Sequence, residues 1–350
     1  MVKNIKKSFK YFMIFIGIII ALPMMLSFVI RIPAVQTFLV RRITDHFSEK
    51  IKSIISVGRF EYAFFNRLSM NDVLIKDQNN DTLIYTQYLS AGIKDIDLAK
   101  KTITFGRVTS LNPVVSIITD SSGVMNLLWY IDMLRSPQDT LKKEKKSTLR
   151  INQIDLSNAR FSMVNKTAEK KNREIDFSDL HLSGINGILE DLIVRNDTTS
   201  FNIYNLAFRE SGGFNVRKFN SNVTLSRSNI LFTSAFLNCD SSIVNMPRFG
   251  IHGDSSASFK NFTKEIRLDI LLDKSLVSCS DLQYFVPSVK GLNESIWLSG
   301  RVFGTVSELR GRNIEMSYSN HTLLNLDFDF SGLPCLFKCC AVNDGVDVRL

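Results

Sequence analysis

Residues Leu324, Leu326, Phe328 and Phe330 are separated by Asn325, Asp327 and Asp329, and the same period of two recurs through most of the chain. Successive side chains of a strand point to opposite faces, so this spelling puts apolar groups on one face and polar groups on the other. Phe201-Ile203, Ile230-Phe232, Ile266-Leu268-Ile270-Leu272 and Ile296-Leu298 share it, with mostly Ser, Asn, Thr, Arg or Asp around them. Such strands build a long antiparallel sheet that is wet on one side. The apolar side then needs cover, and the chain has little helix to supply it. Either a second sheet packs there, or the sheet curls around something that is not protein.

The N-terminus carries a different constraint. Tyr11 to Ile30 is a run of twenty residues without a charge, preceded by Lys3, Lys6, Lys7 and Lys10. A helix of that length spans about 30 Å, the thickness of a bilayer's hydrocarbon core. The lysines before it, against Arg31 close behind, place residues 1–10 in the cytoplasm and the bulk of the chain across the membrane. Arg41 and Arg42 weaken that bias without reversing it. Pro23 is tolerated inside a membrane helix. A cleaved leader would need small residues after the apolar run, and Ile30-Arg31-Ile32-Pro33 offers bulky ones, so a retained anchor over 11–30 is expected.

Next, over residues 31–56, Val35, Phe38, Leu39, Ile43, Phe47, Ile51, Ile54 and Ile55 recur at helical spacing behind Pro33. This amphipathic helix either lies on the bilayer or docks on the sheet; its full-length stripe and mixed-sign polar face favour docking, as a cap on the β-structure. Residues 57–135 form a first β-rich segment. It has a turn at Gln78-Asn79-Asn80-Asp81, strands at Thr82 to Tyr88, Ala91 to Leu98, Thr102 to Leu111 and Val114 to Thr119, and a buried helix at Asn126 to Leu134. Residues 136–147 read as a solvated linker and 148–333 as a second β-rich segment. A weak repeat bridges the linker: Val108, Asn112, Pro113, Val115 and Ile117 match Ile154, Asn158, Ala159, Phe161 and Met163 at a constant offset of 46. Repeats of such period often mark stacked units, with chance likeness of two amphipathic strands as the competitor. Residues 334–350 break the pattern, as an aberrant tail or the end of a fragment would.

The net charge of +9 is concentrated in the N-terminal lysines and in Lys142-Lys143-Glu144-Lys145-Lys146. That distribution fits anionic headgroups near the anchor, and no basic stripe interleaved with aromatics points to nucleic acid. No catalytic constellation is found. His46, His181, His252 and His321 stand apart, Asp95 with Asp97 and Asp327 with Asp329 read as outward faces, and Gly300 to Gly304 lacks the Lys-Ser/Thr of a phosphate loop. No G-x-S-x-G elbow occurs. Cys335, Cys339 and Cys340 lack zinc-site spacing, so neither metal nor cofactor is expected. Cys239 and Cys279 either pair or serve as buried small hydrophobes, the second reading being favoured. Seven N-x-S/T sequons, at Asn80, Asn165, Asn196, Asn222, Asn261, Asn293 and Asn320, keep a glycosylated ectodomain open, though turns favour these residues anyway.

The order IPAVQTFLVRRITDHFSEKI, then VGRFEYAFFNRLSMNDVLIKDQNNDTLIY, then Lys101 to Ile118, NLLWYID and SDLQYFVPSVKGLNESIWLSGRVFGTVSELRGRNIEMSY is informative as a series. In it the chain, almost as far as Leu333, resembles the N-terminal part of TamB-like proteins of the AsmA-like superfamily. The likeness rests on the order of these stretches rather than on one motif. It implies anchoring in a bacterial inner membrane and a mainly β fold: an anchor and amphipathic helix, then an elongated, curled antiparallel β-groove, apolar inside and polar outside. The implied role is phospholipid transport across the periplasm or outer-membrane assembly with a TamA-type outer-membrane partner. TamB-like chains are much longer and end in a C-terminal domain without counterpart in this sequence. Candidate groove-lining residues, taken from the alternating strands, are Ile203, Phe232, Leu268, Ile270 and Phe328. The competing expectation is an anchored adhesion or scaffold ectodomain with a closed β-sandwich and no conduit.

Overall fold

The computed structural model describes residues 32–63, 66–97, 99–134, 148–168, 175–195, 197–255, 258, 261–318, 322–332 and 347–349. The expected cytoplasmic tip and anchor, the expected polar linker and most of the tail lie outside the described residues. Among the described residues no helix is long and apolar enough to cross a membrane.

After helix α1 (Pro33–Ile51) come β1 (Ile55–Ala63), β2 (Arg67–Lys76), β3 (Thr82–Asp97), β4 (Thr102–Leu111), β5 (Val114–Thr119) and helix α2 (Asn126–Leu134). Then follow β6 (Thr148–Asn165), β7 (Asp179–Arg195), β8 (Thr198–Glu210), β9 (Asn215–Leu225), β10 (Asn229–Cys239) and β11 (Ile243–His252). Short α3 (Phe262–Glu265) precedes β12 (Arg267–Ser278). Short α4 (Cys279–Leu282) precedes β13 (Ser295–Thr305), β14 (Glu308–Tyr318), β15 (Thr322–Ser331) and β16 (Asp347–Arg349). All sixteen strands belong to one curled sheet, ordered as in the chain except that β5 sits beside β3 and β6. The segments 57–135 and 148–333 thus share a sheet. The two strands expected over 82–98 are one, β3, bent by register shifts near Ile93.

The expected all-antiparallel sheet needs one correction. β4 and β5 both pair with β6 in parallel, and every register pair, from Thr102–Thr148 to Thr119–Asn165, is offset by 46 residues. The sequence repeat is therefore laid side by side. Asn158 Nδ2 donates to Asn112 Oδ1 at 2.7 Å, Ser162 Oγ lies 2.9 Å from Ser116 Oγ, and Arg107 donates to Gln153 at 3.2 Å. A parallel pairing cannot be closed by a hairpin and needs a long crossover, here the stretch that carries α2.

Bulges bend the strands. Asn158, Asp191, Asn205, Ser234, Lys274 and Asn313 have φ between +41° and +53°, each at a break in register. Asn and Asp tolerate this left-handed conformation because their short side chains bond locally. The neighbouring strand also satisfies the amide that a bulge frees. Asn158 N–H donates to Asn186 Oδ1 (2.8 Å), Asn205 to Asn220 Oδ1 (2.7 Å), Lys274 to Ser299 Oγ (2.9 Å) and Asn313 to Asp327 Oδ1 (2.7 Å). Bulges sharpen local twist, which is how a sheet of this length curls.

Helix α1 runs antiparallel to β1 and occupies its open edge. Gln36 exchanges two hydrogen bonds with the Tyr62 backbone, Thr37 two with Phe60, and Ser48 two with Ile55, while Arg41 donates to the Val57 and Gly58 carbonyls. Side chains thus replace the ladder that a further strand would make, which shields an edge otherwise open to aberrant pairing. The helix docks through its polar side, with Ile51 buried at its end. Phe38, Leu39, Ile43 and Phe47 of the apolar stripe stay exposed. An edge offers only N–H and C=O groups, so polar side chains are what it can hold.

Candidate functional site

Residues directly paired across a ladder point to the same face, so the registers trace side-chain rows across the sheet. One row runs Phe201, Val223, Phe232, Phe249, Ile270, Val302, Gly311, Phe328 from β8 to β15. Two residues along lies Leu225, Ile230, Ile251, Leu268, Gly304, Leu309, Phe330, on the same face. A third row, Leu68, Ala91, Val108, Ile154, Leu189, Ile203, Ser221, carries that face back to β2. Ile203, Phe232, Leu268, Ile270 and Phe328 therefore all sit on one face, in three adjoining rows.

The rows hold together by lateral contact. Phe219, Phe232 and Phe249 form a chain of tilted rings with centroids 6.1 and 5.8 Å apart, and Phe328 stacks on Phe330 at 4.5 Å. Gly311 makes room for Phe328, whose ring lies where a Cβ would be. Most of these side chains are half-buried, although Ile203 and Val223 are buried at 7% and 3% exposure. Among the described residues a small buried cluster is formed by Ile175, Phe214, Val216 and Cys239, backed by Tyr284. It lies where the stretch after α4 folds over the ends of β8 to β11, with Phe214 edge-on to Tyr284 and Phe285 at 5.7 and 5.0 Å.

The opposite face is charged. Arg248 and Arg301 both donate to Asp269, at 2.6 and 2.8 Å, and Arg312 donates to Asp329 at 3.0 Å. Burial raises the Asp269 pKa, but the hydrogen bonds from Arg301 and Arg248 outweigh it and hold the carboxyl below its ordinary value. The guanidinium of Arg301 also covers the Phe303 ring at 5.1 Å. Asp327 and Asp329 point to this charged side, opposite Phe328 and Phe330, as their alternation predicts.

The two long rims differ as well. Hairpins on one carry exposed ion pairs, Asp97–Lys100, Asp197–Arg227 and Asp254–Arg267, at 3.1, 2.9 and 2.6 Å. The other holds longer connections with exposed Leu128, Phe177, Phe285 and Leu292. There an open cleft is lined by Met125, Met163, Val164, Ile175 and Phe177. Asn126, fully buried, donates to Asp77 Oδ2 at 2.9 Å and pins α2 to the β2–β3 turn.

Among the described residues no group of His, Cys, Asp and Glu is placed to hold a metal ion. His46 is exposed on α1, His181 bonds Asp179 at 2.9 Å, and His252 bonds Asn229 at 3.1 Å, far apart in the sheet order. His321, Cys335, Cys339 and Cys340 lie outside the described residues. Cys239 and Cys279 are free and buried. Burial, with Asp281 and Asp240 nearby, pushes the Cys239 thiol up to about 12, so it stays protonated and inert. Sequence reasoning missed Phe249 and Val302, central in the first row, because Gly250, Gly300 and Gly304 blur their alternation. It also missed that Val108, Ile154 and Leu189 extend the face into the first half. What this arrangement offers is a broad apolar surface on a polar-backed sheet. Comparison of the chain with family models, with curated proteins and with solved structures finds no match.

Proposed function

We propose that this protein is an inner-membrane-anchored envelope protein whose curled sheet holds phospholipid acyl chains along its apolar face. Lipid transport between membranes or outer-membrane protein assembly is the service it performs. The observation that carries this reading is the pair of adjoining apolar rows across β8 to β15, which meet no second sheet among the described residues. Every described strand belongs to this one sheet, β5 sitting beside β3 and β6, so among the described residues no second sheet covers them. Each methylene moved onto such a face contributes about 0.8 kcal/mol, enough over an acyl chain to hold it without a polar site. Fifteen strands along the path, at about 4.8 Å spacing, make a face about 70 Å long, several acyl chains end to end. The resemblance to TamB-like proteins agrees, and by it a TamA-type protein is the outer-membrane partner. Passive transfer along such a surface needs no catalytic group.

The test is native mass spectrometry of the full chain released from detergent, with Phe232→Asp/Ile270→Asp as the comparison. The unmodified chain should carry phospholipid, and the double variant should lose most of it while keeping its strand circular dichroism. Lipid retained equally by both would show that it belongs to the anchor. A chain that binds none would turn the assignment to a scaffold ectodomain.

A further inference from the structure

We infer that α1 is a membrane-surface helix: its outward apolar stripe beds in the headgroup layer of an anionic bilayer while its other side grips β1. The geometry leaves α1 two-sided. Toward the sheet it spends Gln36, Thr37, Arg41 and Ser48 on the β1 backbone. Away from it, Leu39, Ile43 and Phe47 follow Val35 at four-residue intervals and are 45%, 56% and 43% exposed, with Phe38 beside them at 60%. Four-residue spacing keeps such side chains on one line of the helix. Helix α2 touches α1, and its Leu128 and Met133 are exposed.

Two features name the occupant. Only Arg31 and Ile32 separate the uncharged run Tyr11 to Ile30 from Pro33, so a bilayer that takes the run receives α1 at its surface. With Arg41 committed to β1, Arg42, Lys50 and Lys52 still outnumber Asp45 and Glu49 along the helix and just after it, a cationic bias that anionic lipid selects. Such helices sit with the apolar face about 5–10 Å into the interface. Because α1 lies along β1, the edge strand is held parallel to the membrane and the later strands stack away from it. The inference rests on the anchored reading but not on lipid filling the groove.

The test places a fluorescent non-natural amino acid, one position at a time, at Ile19, Leu39, Ile43 and Asp45 of the full chain. Each protein is reconstituted into phosphatidylethanolamine vesicles containing phosphatidylglycerol, and brominated lipid is the quencher. Quenching at Ile19, Leu39 and Ile43 but not at Asp45 is expected. Quenching at Ile19 with none at Leu39 and Ile43 would overturn the inference and leave the anchor standing. Shielding of Ile43 from aqueous iodide without lipid quenching would also overturn it, in favour of a second copy or another protein on the stripe. No quenching at Ile19 would remove the anchored reading, and this inference with it.

Discussion

Asp269 shows how one residue stiffens a strand far from any core. Its carboxylate, with a side chain 14% exposed, takes hydrogen bonds from Arg248 on β11 and Arg301 on β13, tying three strands on the charged face. Its folded pKa lies below the unfolded value near 3.8, so this stabilisation is fully present above about pH 4 and is lost as pH falls through the lower folded value. Asp269→Asn should cost about 1–2 kcal/mol at neutral pH, since it removes charge-assisted bonds that solvent partly screens. Urea unfolding at pH 7 and pH 3 checks it: the gap between variant and parent should narrow at pH 3. Parallel curves would mean that other carboxylates carry the acid sensitivity. The alternation around Asp269 marked it as outward in the sequence. Its two arginines, 21 residues before it and 32 after, became partners only through register.

At the scale of elements, α1 carries the clearest lesson. Its spacing reveals a helix and its position reveals a cap, but an apolar stripe ordinarily means the buried side. Here the stripe is outside, because the partner is a strand edge whose needs are hydrogen bonds. Gln36, 5% exposed, is the centre of that grip. Gln36→Ala should cost about 1–3 kcal/mol by leaving the Tyr62 N–H and C=O without partners, and should speed hydrogen exchange at Tyr62 and Phe60. Exchange at β9 amides should not change. If Tyr62 stayed protected, the cap would not depend on this residue. The repeat at offset 46 was equally legible, yet its meaning was not: a stacked unit and a parallel pair share the same spelling until the crossover is traced.

For the whole molecule, the sheet order makes the fold nearly one-dimensional, with most strands packed only on their ladder neighbours. Proteins of this kind lose cooperativity along their length. The chain has two tryptophans, Trp129 in α2 near the β1 end and Trp297 in β13 near the other. In urea, the fluorescence of Trp297→Phe and Trp129→Phe proteins should give transitions with different midpoints. Coincident midpoints would reveal a single cooperative unit that the sheet topology does not supply.

Sequence alone determined the class of this fold and the faces of its strands. Period-two alternation is a local property, and Phe232, Ile270 and Phe328 were readable as sharing an apolar side within their own strands. Tertiary structure decided everything that requires knowing which strand lies beside which. The alignment of those residues into rows, the parallel join that lays residues 102–119 against 148–165, and the outward turn of the α1 stripe all follow from pairing. The reason is physical. A side chain's direction is set by its own backbone, whereas its neighbours are set by register, bulges and edges that bring residues together from distant parts of the chain.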